Sequence, residues 1–404
     1  MNIPFRPIVT ALLRNRTGAL LVAVQIAIAL AVLVNAVYIV KQRVDHVGRP
    51  TGMDIANMFV VSAAGFAKNF DYPTMLSEDI AYLRNLPGVI SASPINSVPL
   101  SNGGSSAFTT LKALDPTNRL RVNYFESDAQ VLDTLGVKLV RGRNFREDEV
   151  LPPPKVLFES YNGPIIISKE YAERLFPGGD ALGKTVYEPY GAPVTIIGIF
   201  DHMIGSWVTD DQPTDIMFLA RRPAGPTARY LVRTQPGQRD VVMSKVEAEL
   251  GARNRSRAIN YVRTMEYYKA RSYLSDRNMA IYLTTVTTLL LAITSLGIFG
   301  LATFNVSTRT KQVGTRRAVG ARRLDIITYF LVENWLVTTV GVFVGCIMAL
   351  GVGQWLSLEY QLPRVDLYYL VGGTLALWFI GLGAAWQPAR RASRISPALA
   401  TRTV

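Results

Sequence analysis

Residues 178–185 of this 404-residue chain read Gly-Gly-Asp-Ala-Leu-Gly-Lys-Thr, a complete GxxxxGK[ST] phosphate-loop pattern. That pattern holds phosphate when a strand feeds the glycine loop and a helix follows, so that free amides and the helix N-terminus converge on the anion. Here the order is reversed. A helical stretch over 169–175 precedes the glycines, and a strand-like run through 194–200 follows them. A glycine turn between helix and strand is expected, without nucleotide. Asp210, Asp211 and Asp215 gather around Pro213. A hard cation such as calcium wants six to eight oxygens, and three carboxylates without EF-hand spacing read as a solvated loop. His46, His202 and Cys346 complete the inventory of imidazoles and thiols. One cysteine excludes an internal disulfide framework, and two histidines offer neither a zinc set nor a hydrolytic triad. No catalytic, cofactor-binding or metal residues are expected, and the chain reads as a non-enzyme.

The most distinctive short segment is 309–325. Arg309, Lys311, Arg316, Arg317, Arg322 and Arg323 alternate with Val313, Ala318, Val319 and Leu324, and Gly314 and Gly320 divide the run. Such a pattern serves either as a positive anchor at a membrane surface or as a short amphipathic helix that docks on a cytosolic partner.

The elements that must position this segment are membrane helices. Hydrophobic residues make up 49% of the chain and charged residues 18%, below the roughly 25% charged content of soluble domains, and mean hydropathy is +0.19. Four apolar runs are long enough to cross a bilayer, which takes about 20 residues: 18–40, 278–308, 334–358 and 367–389. The first exceeds the 7–15 residues of a signal-peptide core and is read as a retained helix. Arg6, Arg14 and Arg16 precede it, six basic residues lie between spans two and three, and Arg390, Arg391, Arg394 and Arg402 follow span four. By the positive-inside rule the segments 1–17, 309–333 and 390–404 are cytoplasmic, whereas 41–277 and the loop 359–366 are outside. These cytoplasmic segments hold 13 of the 43 basic residues and 2 of the 30 acidic ones. The net charge of +13 is therefore mostly topological bias, which argues against nucleic-acid binding.

Residues 41–277 are too long for a loop. Strand–helix–strand patterns fall at both ends, over 54–62, 74–86 and 89–93, and over 229–233, 239–250 and 258–263. The two units can share one sheet, giving an α+β lobe built from discontinuous chain. Between them 124–220 reads as mostly β with the one helix at 169–175, a second lobe inserted in the first. Polar, helix-tolerant residues at 41–46 and 267–277 let spans one and two continue beyond the bilayer as a stem. Within the spans ionisable groups are scarce; Gln25, Asn35 and the boundary residue Glu333 stand out, which speaks against an ion-coupled transporter. Gly341 and Gly345 form a GxxxG pair, suited to close packing within the chain or at a dimer seam.

Three blocks of residues resemble the MacB/FtsX-like permeases of ATP-binding cassette transporters, the type VII or mechanotransmission class. The segment 304–327, with Arg309, Val313-Gly314, Arg316, Ala318 and Gly320-Ala321, is similar to that family's basic R-x-x-E-I-G-x-R-x-A-x-G-A stretch after the second span. The tail from Pro388-Ala389 through Pro397 to Ala400 is similar to its P-A-x-x-A-x-x-x-x-P-x-x-A-L ending. Gly142-Arg143, Phe145, Ile167-Ser168, Leu182-Gly183-Lys184 and Ile197-Gly198-Ile199 resemble its periplasmic domain, and Leu86-Pro87-Gly88-Val89 fits the first lobe. Order and spacing agree along nearly the whole chain.

The resemblance implies an α+β membrane protein of the bacterial inner membrane, with four transmembrane helices and a large periplasmic domain between the first and second. That domain would hold a porter-like lobe, about 50–120 and 225–265, and the inserted lobe, about 124–220. It implies a permease subunit paired with a second permease chain, identical or paralogous. A cytosolic ATPase carrying ATP and magnesium would dock on Arg316, Arg317, Ala318, Gly320, Ala321 and Arg322. A periplasmic adaptor and an outer-membrane channel are further partners of such systems. ATP-driven closure would move the stems and expel or extract a substrate on the periplasmic side. Arg143 and Phe145 are expected to fix the fold of the outer domain. Two departures stand out. Gln312 replaces the family's acid before I-G, compatible with pairing to a different permease chain. MacB carries a fused ATPase domain whereas this sequence opens a few residues before its first span, so a separate ATPase is expected. The competing readings are an FtsX-like regulator of a cell-wall hydrolase, which typically has a smaller outer domain, and a membrane sensor, which needs a cytoplasmic output module that segments this short do not form.

Overall fold

Each apolar run expected to span a bilayer lies within one long helix of the computed structural model, which describes residues 12, 16–68, 70–156, 159–254, 256–360 and 365–395. The predicted terminal segments at 1–11, 13–15 and 396–404, with Pro397 and Ala400 of the tail, and positions 361–364 of the outer loop lie outside the described residues. Two units divide the chain: residues 49–275, and the helical remainder at 1–48 and 276–404. Helix α1 (Arg16–Gly48) has 33 residues, about 50 Å at 1.5 Å per residue and longer than the roughly 30 Å hydrocarbon layer. The helix continues unbroken through the polar residues 41–48, whereas the second expected stem, 267–277, is divided at Tyr273 between helices Met265–Ser272 and Leu274–Thr308.

In the 49–275 unit, the first lobe is built from β1 (Met58–Gly65), α2 (Tyr72–Arg84) and β2 (Val89–Pro94) at one end of the sequence. The other end supplies β10 (Thr227–Thr234), α5 (Arg239–Arg253) and β11 (Arg257–Thr264). Their strands alternate in the sheet order β11-β1-β10-β2, antiparallel throughout, with Val60 opposite both Leu231 and Arg263. This is the split βαβ arrangement of ferredoxin-like domains. Period two on β1 turns Phe59, Val61 and Ala63 to one face, and Val242, Val246 and Leu250 on α5 recur every four residues to cover it. Asp71 caps α2 by accepting from the Thr74 amide at 3.2 Å, and the helix stops before Pro87-Gly88.

The inserted lobe is a mixed sheet in the order β3-β4-β9-β6-β8-β5, with β7 paired to β8. Its strands are β3 (Ser106–Thr109), β4 (Leu120–Ser127), β5 (Leu139–Gly142), β6 (Pro164–Ser168), β7 (Thr185–Tyr187), β8 (Pro193–Phe200) and β9 (Ile216–Ala220). Strand β6 reads Pro-Ile-Ile-Ile-Ser and is central, its three isoleucines fully buried. The lobe begins near residue 105 rather than 124, because β3 pairs with β4 and β4 with β9, some 90 residues away. A further helix in this stretch, α3 (Val131–Leu135), packs instead on β2 and β10 of the first sheet, whereas the expected α4 (Lys169–Leu175) packs on β6 and β8 of the second. Local patterning carried no sign of that long-range pairing.

After α6 (Met265–Ser272) come α7 (Leu274–Thr308), α8 (Thr310–Ala318), α9 (Arg323–Tyr360) and α10 (Leu367–Ala392). Among the long helices α1 is central, with 61% of its most apolar window buried against 17% for α7 and for α10. Gly341 and Gly345 explain how α9 gets close: a Cβ at Gly341 would lie 2.7 Å from the Ala23 carbonyl, and one at Gly345 2.9 Å from the Leu30 Cβ. The pair expected as a possible dimer seam is thus filled from inside the chain by α1, whose small residues at 23 and 27 let the two backbones meet. Asn35, the polar residue within span one, donates through Nδ2 to the Ala349 carbonyl of α9 at 3.1 Å. At the polar end of α1 and the first turn of α7, buried Asp276 joins the two helices: Oδ1 accepts from Arg43 Nη1 at 2.8 Å and Oδ2 lies 2.7 Å from His46 Nδ1. The chain is an α+β membrane protein with four long apolar helices and an α+β domain between the first and second.

Candidate functional site

Helix α8 is short and polar, and Val313 is its sole buried apolar side chain. Val313 packs with Ile326 and Phe330 of α9 and with Ala389 and Ala392 of α10. Gly314 beside it is also buried. One turn ahead of Val313, Arg309 Nη1 donates to Glu333 Oε2 at 2.8 Å, a pair with both side chains largely buried. Arg316, three residues past Val313, lays its guanidinium 4.7 Å from the centroid of the Tyr329 ring. Positions 309, 313 and 316 fall on one helical face. Through that face α8 is fastened to the first turns of α9 by an ion pair, an apolar plug and a cation–π contact.

The end of α8 is set by Gly320. Its φ is +102°, a backbone state that side-chain-bearing residues resist. The Gly320 amide donates to the Arg317 carbonyl at 3.2 Å and the Ala321 amide to the Arg316 carbonyl at 3.0 Å, the paired bonds of a Schellman cap. Ala321 then folds against the Val313 cluster. Arg322 precedes α9, and its amide donates to Asp325 Oδ2 at 2.8 Å, half of a capping box.

These caps sort the six residues singled out from the sequence. Arg316, Gly320 and Ala321 shape the turn, Arg317 is half-buried, and Ala318 and Arg322 are exposed. At the tip of the same turn Val319 is 84% exposed and Leu324 69%, beside exposed Arg322 and Arg323. Two bare apolar side chains among cations make a surface suited to a partner with a greasy, acid-rimmed groove. Val319 and Leu324 were visible in the sequence only as the apolar half of an alternating run. Glu333 was visible only as an acid at the edge of a span.

Elsewhere the glycine motif sits in a helix–turn–strand order, α4 to β7. Its amides are committed: Gly178 donates to Glu173 Oε1 at 2.9 Å, Gly183 to the Ile196 carbonyl at 2.8 Å and Lys184 to the Ala181 carbonyl at 3.2 Å. The aspartates around Pro213 part company. Asp210 pairs with Arg121 at 3.3 Å, and Asp215, expected in a solvated loop, is buried against Arg174. Burial raises the Asp215 carboxyl to about 6 despite the guanidinium beside it. Arg143 forks onto Glu149 at 2.6 and 2.7 Å, holding that carboxyl down at about 2, and Phe145 is buried.

Comparison with known proteins adds the following. Residues 18–252 match the MacB-like periplasmic core domain and residues 284–397 the FtsX-like permease C-terminal region. The macrolide export ATP-binding/permease protein MacB of Neisseria gonorrhoeae is 22% identical over 408 residues, covering 97% of this chain and 60% of that protein. The probable syringafactin export ATP-binding/permease protein SyfD of Pseudomonas syringae pv. syringae is 25% identical over 404 residues, covering 96% of this chain and 58% of that one. The chain spans about 60% of the length of these relatives. Among solved structures, the periplasmic region of MacB from Actinobacillus actinomycetemcomitans aligns over 56% of this chain and 97% of its own, with 16% identity and a TM-score of 0.36. The extracellular domain of YknZ, a noncanonic ABC-type transporter from Gram-positive bacteria, aligns over 50% of this chain and all of its own, with 15% identity and a TM-score of 0.32.

Proposed function

Since the chain belongs to the MacB/FtsX-like permeases of ATP-binding cassette transporters, we propose that it is a non-catalytic membrane subunit. It relays ATP hydrolysis on a cytosolic ATPase of another polypeptide to its periplasmic domain. The observation that carries the reading is the α8 turn: an exposed Val319–Leu324 tip ringed by arginines, on a helix fastened to α9 through Arg309–Glu333. The largely buried Arg309–Glu333 pair ties α8 to α9, so that a load on the tip is passed on to α9. The distribution of Lys and Arg supports a location in the bacterial inner membrane with the tip and both termini in the cytoplasm. A second permease chain, identical or paralogous, completes the unit, and a periplasmic adaptor with an outer-membrane channel extends it. The work is efflux or extraction on the periplasmic side, in keeping with relatives named for export of a macrolide and of syringafactin.

The test places a photo-cross-linking amino acid at Val319 in cells and identifies the adduct by mass spectrometry. The expected adduct is an ATP-binding cassette ATPase, lost at least tenfold when Leu324 is replaced by Asp. An adduct with a periplasmic protein, or none with an ATPase, ends the proposal.

A further inference from the structure

We propose that the inserted lobe carries a binding site for a small amphipathic ammonium compound, an apolar skeleton bearing a basic amine. The site is a cavity of about 580 Å³ between β3, β4 and β9 on one side and Pro154, Lys155, Val156, Glu159 and Tyr161 with the 188–190 turn on the other. That volume falls within the 300–1,000 Å³ range of small-molecule sites.

The walls follow from strand register. Tyr124 and Glu126 of β4 stand opposite Met217 and Leu219 of β9, so one face of the sheet presents an aromatic ring, two apolar side chains and a carboxylate. At the floor the buried Glu126 accepts from Arg221 Nε at 3.0 Å. The same guanidinium donates to the Glu159 carbonyl at 3.0 Å and lies 5.6 Å from the Tyr161 ring centroid. An ion pair of this kind is seldom the most stable filling for such a space, since well-packed apolar residues serve stability as well or better. Here it gives a rigid polar floor under an apolar wall.

The mouth is apolar and acidic at once. Phe108, Val156 and Tyr190 line it with their side chains exposed. Nearby Leu114, 68% exposed, has a φ of +55° and lies against Gly191, where a Cβ would come within 3.1 Å of its side chain. Of the mouth's carboxylates, Glu188 accepts from Ser160 Oγ at 2.7 Å and Glu159 from the Lys155 amide at 2.6 Å. Neither forms an ion pair among the described residues. Against the lone exposed lysine of the lining, Lys155, these two acids keep the entrance negative. An ammonium group gains from both, and from the faces of Phe108, Tyr124 and Tyr190; a carboxylate or sulfonate is repelled.

The inference stands apart from ATPase docking and is tested without it. The full chain, with Cys346→Ala and Val156→Cys, is reconstituted in phosphatidylcholine nanodiscs and labelled with a maleimide in the presence of hexyltrimethylammonium or hexane-1-sulfonate. The ammonium is expected to slow labelling at least fivefold and the sulfonate less than twofold. Glu188→Gln should bring ammonium protection down toward that of the sulfonate, and Met217→Trp should remove it by filling the cavity. A cysteine at Val241, exposed in the other lobe, should label at an unchanged rate. No protection by the ammonium, equal protection by both probes, or equal slowing at position 241 overturns the proposal. If Met217→Trp fails to fold, the Glu188→Gln comparison decides alone.

Discussion

Arg309 and Glu333 meet across 24 positions of sequence, the arginine just before α8 and the glutamate within α9. Neither group is free to change alone. Arg309→Gln leaves a carboxylate buried without its cation, at a cost of about 3–5 kcal/mol. The double variant Arg309→Gln/Glu333→Gln should recover most of that loss, because two neutral amides can satisfy one another. Thermal unfolding in detergent of both singles and the double checks this; equal destabilisation of all three would mean the pair carries no coupling. Asp215 makes an opposite kind of statement. Its carboxyl titrates near 6 in the folded chain against about 3.8 ordinarily, raised by burial. Folding therefore takes up a proton between those values, so the stability it contributes is complete below about pH 4 and lost as pH rises through 6. The stability of the 49–275 unit should fall between pH 4 and pH 7, by up to about 3 kcal/mol from this group, of which about 1 kcal/mol falls between pH 5 and pH 7. In Asp215→Asn that part of the slope should vanish. Such titration could not be read from three aspartates around a proline; it depends on Arg174 and a protein wall on one of them.

At the scale of elements, α8 exists because of its ends more than its composition. Nine residues of mostly polar chain are below the length at which a helix holds itself in water. What holds this one is Val313 in a pocket of α9 and α10, and the cap at Gly320. Gly320→Ala forces a Cβ into a positive-φ turn and should cost about 1 kcal/mol. Most of it should appear locally, as faster hydrogen exchange at the amides of Gly320 and Ala321. Ala318→Ser, on the exposed side, should leave exchange unchanged. The glycine that parts the basic run was legible in the sequence as a divider. Its role as a cap was not, since that requires knowing that the Ala321 amide returns to the Arg316 carbonyl.

For the whole molecule, the decisive arrangement in the helical unit is α1 surrounded by later helices. Gly345 touches it closely, while a Cβ at Gly351, two turns on, would meet nothing within 4 Å. Gly345→Leu should therefore lower the thermal midpoint of the purified chain strongly, by overpacking worth about 1–3 kcal/mol or more. Gly351→Leu should be close to neutral. If the two behave alike, the glycines are not where α1 and α9 meet. The sequence by itself determined the four spans, the two strand–helix–strand units, the helix at 169–175 and the placement of the large domain between spans one and two. Each of these depends on local periodicity, on the length an apolar run needs in lipid, or on proline and glycine stops. Tertiary structure alone decided that residues 106–109 and 120–127 belong to the second sheet, that α1 fills the groove at Gly341 and Gly345, and that Glu333 answers Arg309. Those are pairings between distant segments, chosen by which surfaces fit and which buried charge needs a partner, and neither condition is written in the residues on either side.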